Sequence, residues 1–100
     1  MAKITKIAEV FPPGEFLRDE LDARNWTQSD LARILGRPLQ VVNQIITGKK
    51  SITPQTAVEL AAALGTSPDL WLNLETSYRL AKTPPANPEI VRRARLAKAS

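Results

Sequence analysis

An all-α fold is predicted by three features of this 100-residue chain. Apolar residues recur at three- and four-residue spacing, and no segment sustains the alternation of a strand. Two hydroxyl–Pro pairs, Thr53-Pro54 and Ser67-Pro68, repeat one helix-start signal. Gly36, Gly48 and Gly65 stand where the helical runs stop. At this length, with 43% hydrophobic residues, the chain has material for one core and not two.

The elements follow in order. Residues 1–13 form an N-terminal arm whose only apolar anchors are Ile4, Ile7, Val10 and Phe11, and no element is assignable there. Pro12-Pro13-Gly14 closes it. From Glu15, the residues Phe16, Leu17 and Leu21 recur at helical spacing, which predicts a first helix ending near Asn25. Thr27 stands three residues before Asp30, ahead of Leu31, Ala32 and Leu35. That is a capping box with Asp in place of the usual Glu or Gln, and Gly36 is the matching stop of a second helix. Pro38 suits the first turn of a third helix, which runs to Thr47 and halts at Gly48. A fourth is predicted over Pro54–Leu64, with Ala57, Leu60, Ala61 and Leu64 on one face, and a fifth over Pro68–Lys82. Residues 14–82 thus read as a five-helix domain with short connections. Residues 83–100 are a Pro-rich linker, Thr83-Pro84-Pro85-Ala86, and a basic tail. In that tail Asn87-Pro88-Glu89 caps either a short helix to about Lys98 or a frayed end.

Composition excludes several kinds of chemistry. The chain has no Cys and no His. That removes disulfides, soft or imidazole metal ligands, and any Ser-His or Cys-His nucleophile pair. The carboxylates stand without a Gly-rich phosphate loop, so an enzyme is not expected and no cofactor is implied. The longest apolar run, Leu60 to Leu64, is far too short for a membrane span, and Met1 opens no signal-peptide block. A cytoplasmic protein with no membrane partner is expected. The net charge of +4 is unevenly spread. Residues 31–58 carry Arg33, Arg37, Lys49 and Lys50 and no acid, whereas residues 59–78 carry Glu59, Asp69 and Glu75 and no base. Residues 79–100 set Arg79, Lys82, Arg92, Arg93, Arg95 and Lys98 against Glu89 alone. A central basic block between acidic ones reads as an anion-binding face or as an ordinary solvated surface.

The third helix carries the chemistry. Gln40, Asn43, Gln44 and Thr47 occupy i, i+3, i+4 and i+7, and so share one arc, while Val41, Val42, Ile45 and Ile46 fill the remaining side. Any amphipathic helix needs a polar side, but Glu and Lys would serve solubility with better helix propensity than Asn and Thr. Amides present donor and acceptor together, the pattern that reads adenine in the major groove. Arg37 precedes this face, and Gly48-Lys49-Lys50 follows it with phosphate-seeking charge or as ordinary loop composition. Gln28, at the start of the second helix, adds a neutral phosphate contact.

Gln28-Ser29-Asp30-Leu31-Ala32, then Gly36 and Gly48, resemble the Cro/repressor-like (XRE) helix-turn-helix domain. More narrowly, several blocks resemble the HigA-type antitoxin branch: Pro13-Gly14-Glu15-Phe16-Leu17, Ile52-Thr53-Pro54-Gln55-Thr56-Ala57, Leu64-Gly65-Thr66-Ser67-Pro68, and Trp71-Leu72-Asn73-Leu74 followed by Tyr78. The resemblance runs from about Pro13 to Lys82. It implies a homodimeric repressor of double-stranded operator DNA whose partner is a HigB/RelE-like toxin, a small mRNA-cleaving nuclease. Gln28, Arg37, Gln40, Asn43, Gln44, Thr47 and Lys49 match DNA-facing positions, to which the sequence adds Lys50, and Val42 and Ile45 match core positions. The contact surface for the toxin does not carry over, because such segments vary among antitoxins. The segment Pro88 to Leu96 also resembles the junction to an ImmA/IrrE-like metallopeptidase, whose histidines have no counterpart in this chain. A repressor of this fold without a toxin, or a protein-interaction module, are the other readings.

The fifth helix has apolar residues on more than one side, Leu70, Leu74, Tyr78 and Ala81 against Trp71 and Leu72. Burial on two sides in so small a domain points to a second subunit, with Trp71, Leu74 and Tyr78 as candidate dimer contacts. A Trp in a small helical domain is nonetheless more often a core residue, and Trp26 is assigned to the core or to a staple across the turn.

Overall fold

The computed structural model describes residues 11–99, so most of the N-terminal arm lies outside the described residues. The described residues form six helices and no strand. These are α1 (Pro13–Ala23), α2 (Gln28–Leu35), α3 (Leu39–Ile46), α4 (Pro54–Leu64), α5 (Pro68–Ala81) and α6 (Pro88–Ala99). The all-α class is as predicted. The sixth helix is the tail, whose two readings are resolved in favour of the helix.

Three starts follow the sequence signals. Thr27 accepts from the Asp30 N–H at 3.0 Å, while the Asp30 carboxylate accepts from the Thr27 N–H at 2.8 Å, closing the capping box. Thr53 and Ser67 cap α4 and α5, with Pro54 and Pro68 at the first helical positions. Two boundaries are corrected. Pro13 already lies in α1, two residues before the predicted start, because Pro lacks the N–H that a first turn would leave unpaired anyway. Pro38 is the N-cap of α3 and not its first residue, since its ψ of 146° is extended. The end of α1 is a Schellman motif built on Asn25, at φ 58°. The Trp26 and Asn25 N–H groups donate to the Leu21 and Asp22 carbonyls at 3.0 and 3.1 Å.

The Thr27 N–H, then the Thr27 hydroxyl and Arg33, hold the Asp30 carboxyl below the usual carboxylate range. A group whose pKa is depressed on folding stabilises the native state above its unfolded value, and that gain is lost as pH falls through its folded value. Denaturant titrations should therefore show Asp30→Asn less stable than the native chain near neutrality, with the two converging in acid.

One core joins α1 to α5, built on Leu17, Leu21, Leu31, Val42, Ile45, Ile46, Ile52, Ala57, Leu60, Leu64 and Trp71. Trp71 is completely buried, with the Phe16 ring edge-on at 5.3 Å and its own Nε1–H donating to Thr66 Oγ1 at 2.8 Å. Trp26 packs partly buried against this core, with the Arg24 guanidinium 5.8 Å from its ring centroid. Arg24 also donates to the Leu64 carbonyl at 2.8 Å, satisfying one of the last carbonyls of α4. Gly14 fixes α1 against α3. A Cβ there would lie 2.1 Å from the carbonyl oxygen of Ile46, so the two backbones meet with no room for a side chain.

Candidate nucleic-acid interface

The turn between α2 and α3 is set by Gly36, left-handed at φ 70°, and by the Arg37 N–H donating to the Ala32 carbonyl at 3.0 Å. It presents α3 with Val42, Ile45 and Ile46 buried and Val41 half-buried. On the other side Gln40, Asn43 and Thr47 are exposed and Gln44 is half-buried. The four residues of the predicted arc are brought together. Gln28 joins them: its Oε1 accepts from Asn43 Nδ2 at 3.2 Å, tying the start of α2 to the middle of α3. This pairing leaves Gln28 Nε2 as donor and Asn43 Oδ1 as acceptor for a ligand. The Thr47 hydroxyl donates back to the Asn43 carbonyl at 2.9 Å. Its lone pairs and methyl group remain for an outside contact.

Beyond α3, Gly48 at φ 82° completes another Schellman motif. The Lys49 N–H donates to the Gln44 carbonyl at 2.9 Å and the Gly48 N–H to that of Ile45 at 3.2 Å. Lys49 and Lys50 follow at once, both exposed. Their loop is anchored from behind. The buried Glu75 carboxylate accepts from the Ile52 N–H at 3.0 Å, and Arg79 bridges Glu75 to Ser51 Oγ, the latter at 2.6 Å. An amide face, two cations at its end and a fixed loop make a surface that can hydrogen-bond base edges while neutralising phosphates.

The family described as helix-turn-helix matches residues 17–71. The chain belongs to the helix-turn-helix family. One relative, an uncharacterized HTH-type transcriptional regulator, YddM, of Escherichia coli K12, is 32% identical over 77% of this chain and 82% of its own length. An addiction module antidote protein of the HigA family from Coxiella burnetii is similar in structure, with a TM-score of 0.67 and 39% identity over 70% of this chain and 77% of that one. So is the Pseudomonas aeruginosa antitoxin HigA, solved with the higBA promoter, with a TM-score of 0.71 and 35% identity over 74% and 82%.

Within this helix-turn-helix chain, two candidate residues sit differently from expectation. The Arg37 guanidinium is 3.1 Å from Glu59 on α4, and both side chains are about a quarter exposed. Its charge is already partly compensated inside the domain, so it competes less well for phosphate than Lys49 or Lys50. Trp71 offers a second subunit no area, because this chain buries it completely. The sidedness of α5 explains this: Trp71, Leu74 and Glu75 all turn toward the body, and the polar Glu75 broke the apolar pattern. Leu74 and Tyr78 are half-buried. Tyr78 lines a cleft with Glu15, Arg18, Thr47, Gly48 and Lys82, whose ammonium lies 4.8 Å from the ring centroid. Leu80, 69% exposed on the outer side of α5, was not singled out from the sequence. Nor were Glu75 and Arg79, whose one sequence signal is their i,i+4 spacing.

Proposed function

We propose that this chain is a sequence-specific DNA-binding antitoxin, which represses its own operon as a homodimer and neutralises a HigB/RelE-like mRNA-cleaving toxin in the cytoplasm. The observation that carries the DNA reading is the exposed amide face of α3, locked to Gln28 and ended by Lys49 and Lys50. In this reading Gln40, Asn43 and Gln44 meet base edges in the major groove, and Thr47 makes an apolar contact. Lys49 and Lys50 meet phosphates, with Arg37 as a secondary contact. Promoter DNA with the Pseudomonas HigA supports this reading, and the antidote names of similar chains support the toxin partner. The dimer is supported by the apolar area that α5 leaves partly uncovered at Leu74, Tyr78 and Leu80.

Base and phosphate contacts separate in a titration. Gln44→Ala should cost about 1–3 kcal/mol on the operator and little on random duplex. Lys49→Ala should weaken binding to both alike and flatten the salt slope by about one unit per chain, about two for the dimer. Equal losses for Gln44→Ala on both DNAs would remove it from the base-reading set. For the toxin, growth is measured on co-expression with a neighbouring nuclease gene, where rescue is expected. Operator binding without rescue would favour the second reading, a repressor with no toxin, which fits the regulator name of the Escherichia coli relative.

A further inference from the structure

We propose that α6 is a second DNA-binding element, which places Arg93 and Arg95 on phosphates outside the stretch read by α3. This rests on the DNA-binding reading above. From Pro88 to Ala97 every residue of α6 is exposed except the half-buried Glu89, so the helix is not part of the core. It starts without help from the body, since Asn87 Oδ1 accepts from the Glu89 N–H at 2.9 Å. Ile90, Val91 and Ala94 share one side, and Arg92, Arg93 and Arg95 occupy the rest with Leu96. Arg92 is paired with Glu89 at 2.7 Å, which leaves Arg93 and Arg95 as uncompensated charge. The family match ends at Trp71, so this helix lies beyond the shared domain.

Position favours DNA as the occupant. The last turn of α5 lies against the end of α3: Tyr78 and Lys82 share a cleft with Thr47 and Gly48, and Arg79 holds Ser51, next to Lys50. The linker, residues 83–87, therefore leaves the body beside the cations that meet phosphate. Six residue steps separate Lys82 from Pro88, so α6 starts within about 20–22 Å of Lys82. A duplex presents one negative charge per roughly 1.7 Å of axis, and tethering raises the local concentration of the arginines near it into about the millimolar range. Arg is also the side chain whose planar fork matches a phosphate. The competing occupant is the acidic face of α1 on a second copy, where Glu15, Asp19 and Asp22 are exposed.

The test uses the full chain and a random-sequence duplex of roughly 40 bp, about four helical turns. Binding is titrated against salt for the native chain, for Arg93→Gln with Arg95→Gln, and for Arg93→Lys with Arg95→Lys. The Gln pair should flatten the salt slope by about two units per chain, about four for the dimer, while the Lys pair keeps the native slope. An unchanged slope in the Gln pair, with the native chain binding normally, would overturn the inference and leave the DNA reading intact. A Gln pair that changes oligomeric state in sedimentation without DNA would also overturn it, in favour of the second copy. No salt-dependent binding by the native chain would sink the DNA reading and α6 with it.

Discussion

Gly14→Ala is expected to destabilise the domain by at least about 3 kcal/mol, a fall of roughly 12 °C or more in Tm for a domain of this size. The added carbon would meet the Ile46 carbonyl oxygen at 2.1 Å, the Ile46 carbonyl carbon at 2.6 Å and the Ile45 oxygen at 2.8 Å. All three are backbone atoms of the last turn of α3, so no side chain can rotate away and one helix must move. Where α3 gives way, Gln44 and its C-cap Thr47 move with it, so DNA affinity should fall with stability. Gly65→Ala is the contrast. There φ is 73° and nothing lies within 4 Å, so only the left-handed backbone is strained, at about 1–2 kcal/mol. Thermal unfolding followed by circular dichroism ranks the two. A Gly14→Ala chain that melts within a few degrees of native would mean that α1 does not seat on α3 as described.

Trp71→Ala should cost about 3–5 kcal/mol, the range for truncating a fully buried aromatic. It removes the edge contact with Phe16 and leaves the Thr66 hydroxyl without its indole partner. Because the ring is buried within one chain, the loss should be independent of protein concentration. A side chain at a subunit seam behaves otherwise, since dimerisation stabilises by mass action and its loss depends on concentration. Denaturant titrations of native and variant chains over a hundredfold range of concentration distinguish the two. A difference between them that changes across the range would return Trp71 to the subunit interface.

The parts of the fold written in local chemistry were legible in the sequence. Thr27 with Asp30, Thr53 with Pro54 and Ser67 with Pro68 each place a hydroxyl where a helix needs an acceptor, and each starts a helix. The amide arc of α3 was legible because a 3.6-residue period projects directly onto a surface. Less visible was whatever depended on distant partners. Arg37 reads as a free cation until Glu59, on another helix, is set beside it. The fifth helix reads as apolar on two sides, with Trp71 at a subunit seam, until Glu75 is seen facing inward to hold the Ile52 N–H. Asn25 ends α1 in a conformation that Gly usually marks, so the stop carried no glycine signal. Position 14 showed a glycine, but nothing local announced that a carbonyl of α3 lies against it.

If the proposed homodimer binds its operator through two copies of α3, nuclease footprinting of the full chain on the DNA preceding its coding sequence reads both contacts at once. Two protected half-sites related by a pseudo-two-fold are expected, with centres about 34–36 Å apart, one helical turn. Both should fade together when Gln44 is changed to Ala. Protection spread evenly along the duplex, or confined to one half-site at saturation, would contradict a dimer that reads two half-sites.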